Sequence, residues 1–456
     1  MFQYGRSAVT PARPMRNACT GKIGARCDHV SRCLPPYSTA GNGRAKPAIG
    51  NVGAALPHRV RGVEVPHPDA HDVLPATCCL LSALLGNRVM SERLLEAVES
   101  LSPATLDVHW FSGATYRAHP APAWARVSDD MEAEWVAGRW LAASRLPAEA
   151  LYFVNSPVLA AAARRRAPRA RWVVATDATP VLTDRLRARA YGPPTSRARV
   201  AFRRLQSARF RRLARGVDLW LPMSLACLES LVGDYGVAPE RCLWTSAPQR
   251  SVDATLPPRD PRARPWRLLF VGNDFARKGG PELCAALATL PEVHLTLVSR
   301  DPEARRAAAG EPRIALVDDV TDPAALAPLY RDAHLLVHPT LVDHYSHVIC
   351  EGLARGLPFA VTTWTPPAEL IPASEAGAAI AWPPSADSIS RAVRRRLEAP
   401  DAWAAACARA LAFAQRELAA ERFRERLATA LAVTGAAPAP GAAGDRTGRA
   451  QSARLG

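Results

Sequence analysis

Two clusters of residues have the types and spacing to hold a ligand, the first of them an anionic one. The first is Gly272, Asn273, Arg277, Lys278 and Gly279, in a string that follows the apolar run Trp266 to Val271 and precedes a helical pattern from about Pro281 to Leu290. Small residues before a helix, with proline in its first turn, suit a tight turn facing a phosphate. The start of a helix also offers unpaired N–H groups and a partial positive charge. Arg277 and Lys278 add two full charges there, although the same string also suits an ordinary surface turn. It is not a P-loop, because the order GxxxxGK[ST] is absent.

The second cluster is Asp343, Ser346, His347, Val348 and Glu351, with the two carboxylates eight positions apart. It follows an apolar run, His334 to His338, and extends onto the first turns of a helical stretch, Val348 to Arg355. Glu351 therefore stands beside the carboxyl edge of a strand, where open parallel sheets bind ligands. Taken alone, it is equally an acid favoured by the helix dipole. Thr176 and Asp177 close another apolar run just before Pro180. Asp177 either faces a ligand or caps the next helix or turn.

These residues need a sheet to carry them, and the pattern supplies one. Pro339 closes the run before Asp343, Gly356 and Pro358 end the helix after it, and Phe359 to Thr362 restarts the sheet. Strands are also expected at Val293 to Ser299, Arg313 to Val317 and Ala378 to Trp382, with helices at Ala324 to Arg331 and Ser388 to Leu397. In the first half the strand-like runs are Val73 to Leu85, Leu106 to Phe111, Ala150 to Val154, Trp172 to Thr176 and Val217 to Leu221. Ser91 is expected to cap a helix bearing Leu94, Leu95 and Val98 on one face. Helical patterns at Asp129 to Ala143 and Val158 to Arg166 separate the strands. Alternating strands and helices predict an α/β fold with parallel sheets. A Pro-rich, charged stretch, 251–265, reads as a linker between two domains. A single long helix is expected from Ala402 to Leu431.

The string Asp343, His344-Tyr345-Ser346, Glu351 and GLARGLP resembles the signature of retaining glycosyltransferases of family 4. Lys278-Gly279 resembles that family's diphosphate site, with Asn273 where arginine is usual. The signature departs at Asp343, usually Glu, and in a loop without glycines. The resemblance covers roughly residues 70–432 and implies the GT-B fold, two Rossmann-like domains facing each other across a cleft. It implies an acceptor domain over 71–250, a donor domain over 251–400, and a helix over 401–432 returning to the first domain. It implies transfer of a sugar from a nucleotide-diphosphate sugar to an acceptor hydroxyl. Lys278 and Arg277 would then stabilise the departing diphosphate, with Gly272, Asn273 and Gly279 around it. Glu351 would hold the ribose, since an ionised carboxylate accepts two hydrogen bonds and fits a vicinal diol. Asp343, Ser346, His347 and Val348 would position the sugar, and Asp177 would face the acceptor. No metal or other cofactor is implied, and no His/Asp/Glu cluster has metal-ligand spacing. A nucleotide-sugar epimerase of similar architecture and a catalytically degenerate binding module are the alternatives.

The chain of 456 residues carries a net charge of +16, which raises nucleic acid or anionic membrane as partners. About half of the excess lies in residues 1–60, with nine Lys/Arg and one acid. Residues 1–70 read as a disordered extension without a signal-peptide core, and 433–456 as a tail. Cys19, Cys27, Cys33 and His29 lack zinc-site spacing. Scattered cysteines fit a cytoplasmic protein. Eleven Arg and no acid occur from Arg185 to Arg215, with Phe202, Leu205, Phe210 and Leu213 on one helical face. That stretch is either a surface helix with its apolar face in the core or a peripheral contact with anionic lipid. Without an aromatic stacking pattern, nucleic acid is the weakest reading.

Overall fold

A computed structural model describes residues 76–433 except 84–86, 102–105, 127–128, 247, 261 and 321–324. The N-terminal extension, its cysteines and the C-terminal tail lie outside the described residues. The first sheet contains β1 (Thr77–Ser82), β2 (Leu106–Phe111), β3 (Leu151–Val154), β4 (Arg171–Thr176) and β5 (Leu219–Pro222), in the order β2-β1-β3-β4-β5. The second contains β6 (Trp266–Val271), β7 (Val293–Val298), β8 (Ile314–Val317), β9 (Leu335–His338), β10 (Phe359–Thr362) and β11 (Gly377–Ile380), in the order β11-β10-β9-β6-β7-β8. Every pairing between these strands is parallel. The expected α/β architecture of two Rossmann-like sheets is therefore present.

Parallel strands covered on both faces must be apolar on both. Along β1, Cys78 and Leu80 enter one core with Tyr152, Trp172 and Trp220. Cys79 and Leu81 enter the opposite core with Phe153, Val173 and Leu221. This second core runs on without a break into Leu336, Ile349, Phe413, Leu418 and Leu427. In the second sheet each chain reversal places a helix on one face, and the order reverses between β6 and β9. That switch point opens a crevice at the carboxyl ends of the two strands.

Three local expectations are corrected. Ser91 does not cap its helix. The helix begins at Asn87, and the buried Ser91 hydroxyl donates to Ser82 O at 2.7 Å and Asn87 O at 3.0 Å. The long terminal helix is broken into Pro400–Phe413, a π turn over Ala414–Leu418 and Ala420–Val433. Ala419 is extended (φ −62°, ψ 138°), and there Leu418 O accepts from Gln249 N at 2.7 Å. A helix cannot continue through that conformation. The arginine-rich stretch forms two helices, Pro180–Tyr191 and Arg197–Arg215, parted at Gly192. Phe210 and Leu213 are buried, but Leu205 is half exposed.

The chain crosses between domains twice, and the crossings lie side by side at Gln249 and Ala419. Helix Ala420–Val433 then packs on helix Asn87–Leu101 of the first domain. Leu427, on that terminal helix, is fully buried. Leu427→Ala is expected to lower the unfolding free energy by about 2–5 kcal/mol, the range for deleting a buried Leu side chain. Urea denaturation followed by circular dichroism measures it.

Candidate functional site

The loop after β6 is shaped by its approach to the loop after β9. Gly279 has φ +75°, and a Cβ there would come within 2.0 Å of Pro339 O. Glycine is required on both counts. The two loops are laced together: Leu341 N donates to Arg277 O at 2.9 Å, and Arg277 Nη1 donates to Val342 O at 2.6 Å. Arg277 Nε also pairs with Asp274 Oδ2 at 2.6 Å. Arg277 thus braces the loops with the same guanidinium that the sequence assigned to a diphosphate.

Lys278 crosses the gap. Its Nζ lies 2.6 Å from Asp343 Oδ2, and the same oxygen lies 2.8 Å from His338 Nε2. All three groups are largely buried. Burial by itself pushes the Asp343 carboxyl up, but the Lys278 ammonium and the His338 bond together hold it well below the usual carboxylate range. Burial also lowers His338, and Lys278 lowers it further against the pull of Asp343. His338, the last residue of β9, was read in the sequence only as the end of an apolar run.

Asn273 uses its Oδ1 to accept from Arg300 N at 3.0 Å, so it fastens the loop to the end of β7. Gly272 lies under the Lys278 stem. Ser346 is the N-cap of helix His347–Leu353, accepting from Ile349 N at 3.4 Å. Burial brings His347 down to about 4, with Asp177 of the first domain and Asp343 opposing the shift. Its Nδ1 is buried without a hydrogen-bond partner among the described residues. Val348 packs against the core beside Ile349. Glu351 accepts a 2.6 Å bond from Tyr330 Oη, and burial raises its carboxyl. Lys278, Asp343 and His338 therefore meet at the switch point, and Asp177 of the first domain acts electrostatically on His347.

Sequence reading missed the contacts that join the two walls. Glu369 Oε2 accepts from Leu225 N at 2.9 Å, and Arg189 stands 3.9 Å above the Trp364 ring. Neither pair has a local spacing that announces it, because the partners lie 144 and 175 positions apart (369 − 225 and 364 − 189). One group of metal-ligand type occurs among the described residues, Cys78, Asp107 and His109, with ligand atoms within 4.8 Å. It lies on β1 and β2, in the first domain and away from the loops after β6 and β9. His109 and Asp107 bond each other at 2.8 Å, and burial pushes the Cys78 thiol up to about 12.

Residues 265–399, which carry both loops, match the family model described as "Glycosyl transferases group 1". The match falls within the second domain. The chain is 32% identical over 138 residues to the lipopolysaccharide glucosyltransferase WaaG of Escherichia coli K12, a match spanning 28% of this chain and 37% of that enzyme. Sucrose-phosphate synthase from Thermosynechococcus elongatus has a similar structure, with a TM-score of 0.60 and 16% identity, covering 79% of this chain and 99% of that one. Anabaena Alr3699/HepE, solved with UDP-glucose, superposes with a TM-score of 0.54 and 14% identity, covering 78% and 99%. These likenesses identify the fold as GT-B.

Within the matched residues, Asp343 neutralises a largely buried ammonium. Asp343→Ala is expected to cost about 3–5 kcal/mol, because it leaves Lys278 buried and unpaired. A carboxyl with a depressed folded pKa contributes in full above the ordinary carboxylate range and loses that contribution as pH falls toward the folded value. The stability gap between wild type and variant should be flat above about pH 5 and shrink below about pH 4. Urea titrations across that range check both parts.

Proposed function

We propose that the protein is a retaining glycosyltransferase of the family 4 type, moving a sugar from a nucleoside-diphosphate sugar to an acceptor hydroxyl. The observation that carries the reading is the meeting of Lys278, Asp343 and His338 at the switch point, with His347 and Glu351 on the helix that follows. The likeness to WaaG and to a UDP-glucose-bound structure supports the same substrate class.

As the bond to the leaving phosphate breaks, negative charge grows on the diphosphate and positive charge on the sugar. Only groups that bind this state more tightly than the ground state lower the barrier. Lys278 is well placed to do so, because its ammonium is desolvated and its present partner is one carboxylate that a diphosphate can replace. Arg277 keeps the two loops in register and adds positive charge beside it. Glu351 can give up its Tyr330 bond to accept from the ribose hydroxyls. The unpaired His347 Nδ1 and the start of its helix would orient the sugar, while Asp177 and Thr176 face the acceptor from the first domain. Diphosphate charge is assigned to these side chains and not to a divalent cation.

Among the described residues no helix is long and apolar enough to cross a membrane. The exposed arginines of Arg197–Arg215, with exposed Leu205 and Tyr191 nearby, support peripheral binding to the cytoplasmic face of an anionic membrane.

Thermal melts with UDP, GDP, ADP and their sugar conjugates test the donor site. A ligand at about 100 times its Kd stabilises by about 2.7 kcal/mol. One nucleotide should raise Tm in the wild type and not in Glu351→Ala. Lys278→Ala and Glu351→Ala should each abolish single-turnover sugar transfer while the far-UV spectrum stays unchanged. Full activity in both variants would overturn the assignment, and no shift with any nucleotide would point to a degenerate module.

A further inference from the structure

The two domains are joined by contacts of two kinds. The terminal helix is fixed to the first domain by fully buried Leu427 and Leu431. Among the described residues, contacts of polar and charged groups also cross the cleft. Glu369, at the end of the short turn Pro366–Glu369 after β10, reaches the helix Leu225–Tyr235 of the first domain. Its carboxylate oxygens accept from Leu225 N at 3.0 and 2.9 Å and from Ala226 N at 3.4 Å. Ser224 Oγ takes the next N–H, that of Cys227, at 3.1 Å. The helix cap is therefore shared between domains, one part supplied by the adjoining residue and the other arriving across the cleft.

Arg189 makes the second contact. It lies near the end of helix Pro180–Tyr191, with its guanidinium 3.9 Å from the Trp364 ring centre and 5.8 Å from that of Trp382. The rings follow β10 and β11 at the carboxyl edge of the second sheet. Trp364 holds φ +68°, a conformation rare for a bulky residue and maintained only where its surroundings favour it. The same helix gives Thr183 Oγ1, 3.2 Å from His344 Nε2 in the donor loop.

Both first-domain helices are tied to Asp177. Helix Pro180–Tyr191 starts three residues after it, and Met223 N, just before the shared cap, donates to Thr176 O at 3.0 Å. We infer that Arg189 and Glu369 are positioning residues, a clasp that sets the Asp177 edge of the first domain over the donor site. The inference rests on the glycosyl-transfer reading for its catalytic consequence, but the clasp itself is a statement about domain closure. Burial pushes the Glu369 carboxyl up to about 8, against the two backbone N–H bonds, so a neutral amide is a fair replacement for it. Gln at that position keeps one acceptor oxygen, which can take the Leu225 and Ala226 N–H bonds now made by Oε2.

The test uses the full chain with the nucleotide that raises Tm, or UDP if none does. Small-angle scattering should give a larger radius of gyration for the Arg189→Ala/Glu369→Ala double variant than for wild type, with Glu369→Gln near wild type. Trp364→Gly removes the ring while relieving its backbone, so it should fold and expand in the same way. In transfer assays kcat should fall about 10- to 100-fold in the double variant, the scale expected from slight misplacement of reacting groups. The donor KM should move less than about twofold, since the donor loops stay on one domain. Unchanged scattering in both the double variant and Trp364→Gly overturns the clasp, as does a Glu369→Gln variant as expanded as Glu369→Ala. Scattering needs no turnover. Expansion without any wild-type activity would keep the clasp and discard the glycosyl-transfer reading.

Discussion

One carboxylate oxygen organises the site. Asp343 Oδ2 is shared by Lys278 and His338, and all three groups are shielded from water. A buried ammonium is costly unless an opposite charge and hydrogen bonds accompany it. The pair therefore fixes the distance between the loop after β6 and the loop after β9, which also touch through backbone bonds, the Arg277 guanidinium and one glycine. It also leaves a positive group poised where the strand order reverses.

The sheets were legible because both faces of a parallel strand are buried. Runs such as Trp266–Val271 and Phe359–Thr362 announce themselves by composition, and their observed limits agree with the pattern. The two loops after β6 and β9 were legible for a related reason: they are short, with ends pinned by strands and caps, so neighbours in sequence remain neighbours in space. Ser346 and Gly279 are examples, one a cap and the other a glycine that nothing larger can replace.

What could not be read depends on distant partners. Asn273 and Arg277 have the right chemistry for a phosphate, but Arg300, Asp274 and Val342 occupy them. Periodicity carries through Ala419 without a gap, and the helix breaks there because Gln249, 170 positions earlier (419 − 249), pairs with it. Leu205 follows the apolar spacing of its helix yet stands in solvent, since only the C-terminal half of that helix rests on the core. Local spacing reports which face a residue takes, not whether anything covers that face.

The paired crossings at Gln249 and Ala419 constrain how the halves can travel. Arg250 is moored to the first domain through Glu92 and Glu96, whereas the next residues, Ser251 and Asp253, are moored to the second through Arg355 and Arg331. The pivot on that strand is thus a single peptide step, and the returning strand turns beside it at Ala419. Two pivots held next to each other behave like the two knuckles of a door hinge. They let the leaves swing about the line through both and resist rotation about any other axis. Opening the cleft then becomes a one-dimensional motion, and the loops of the second domain meet the same face of the first at every closure.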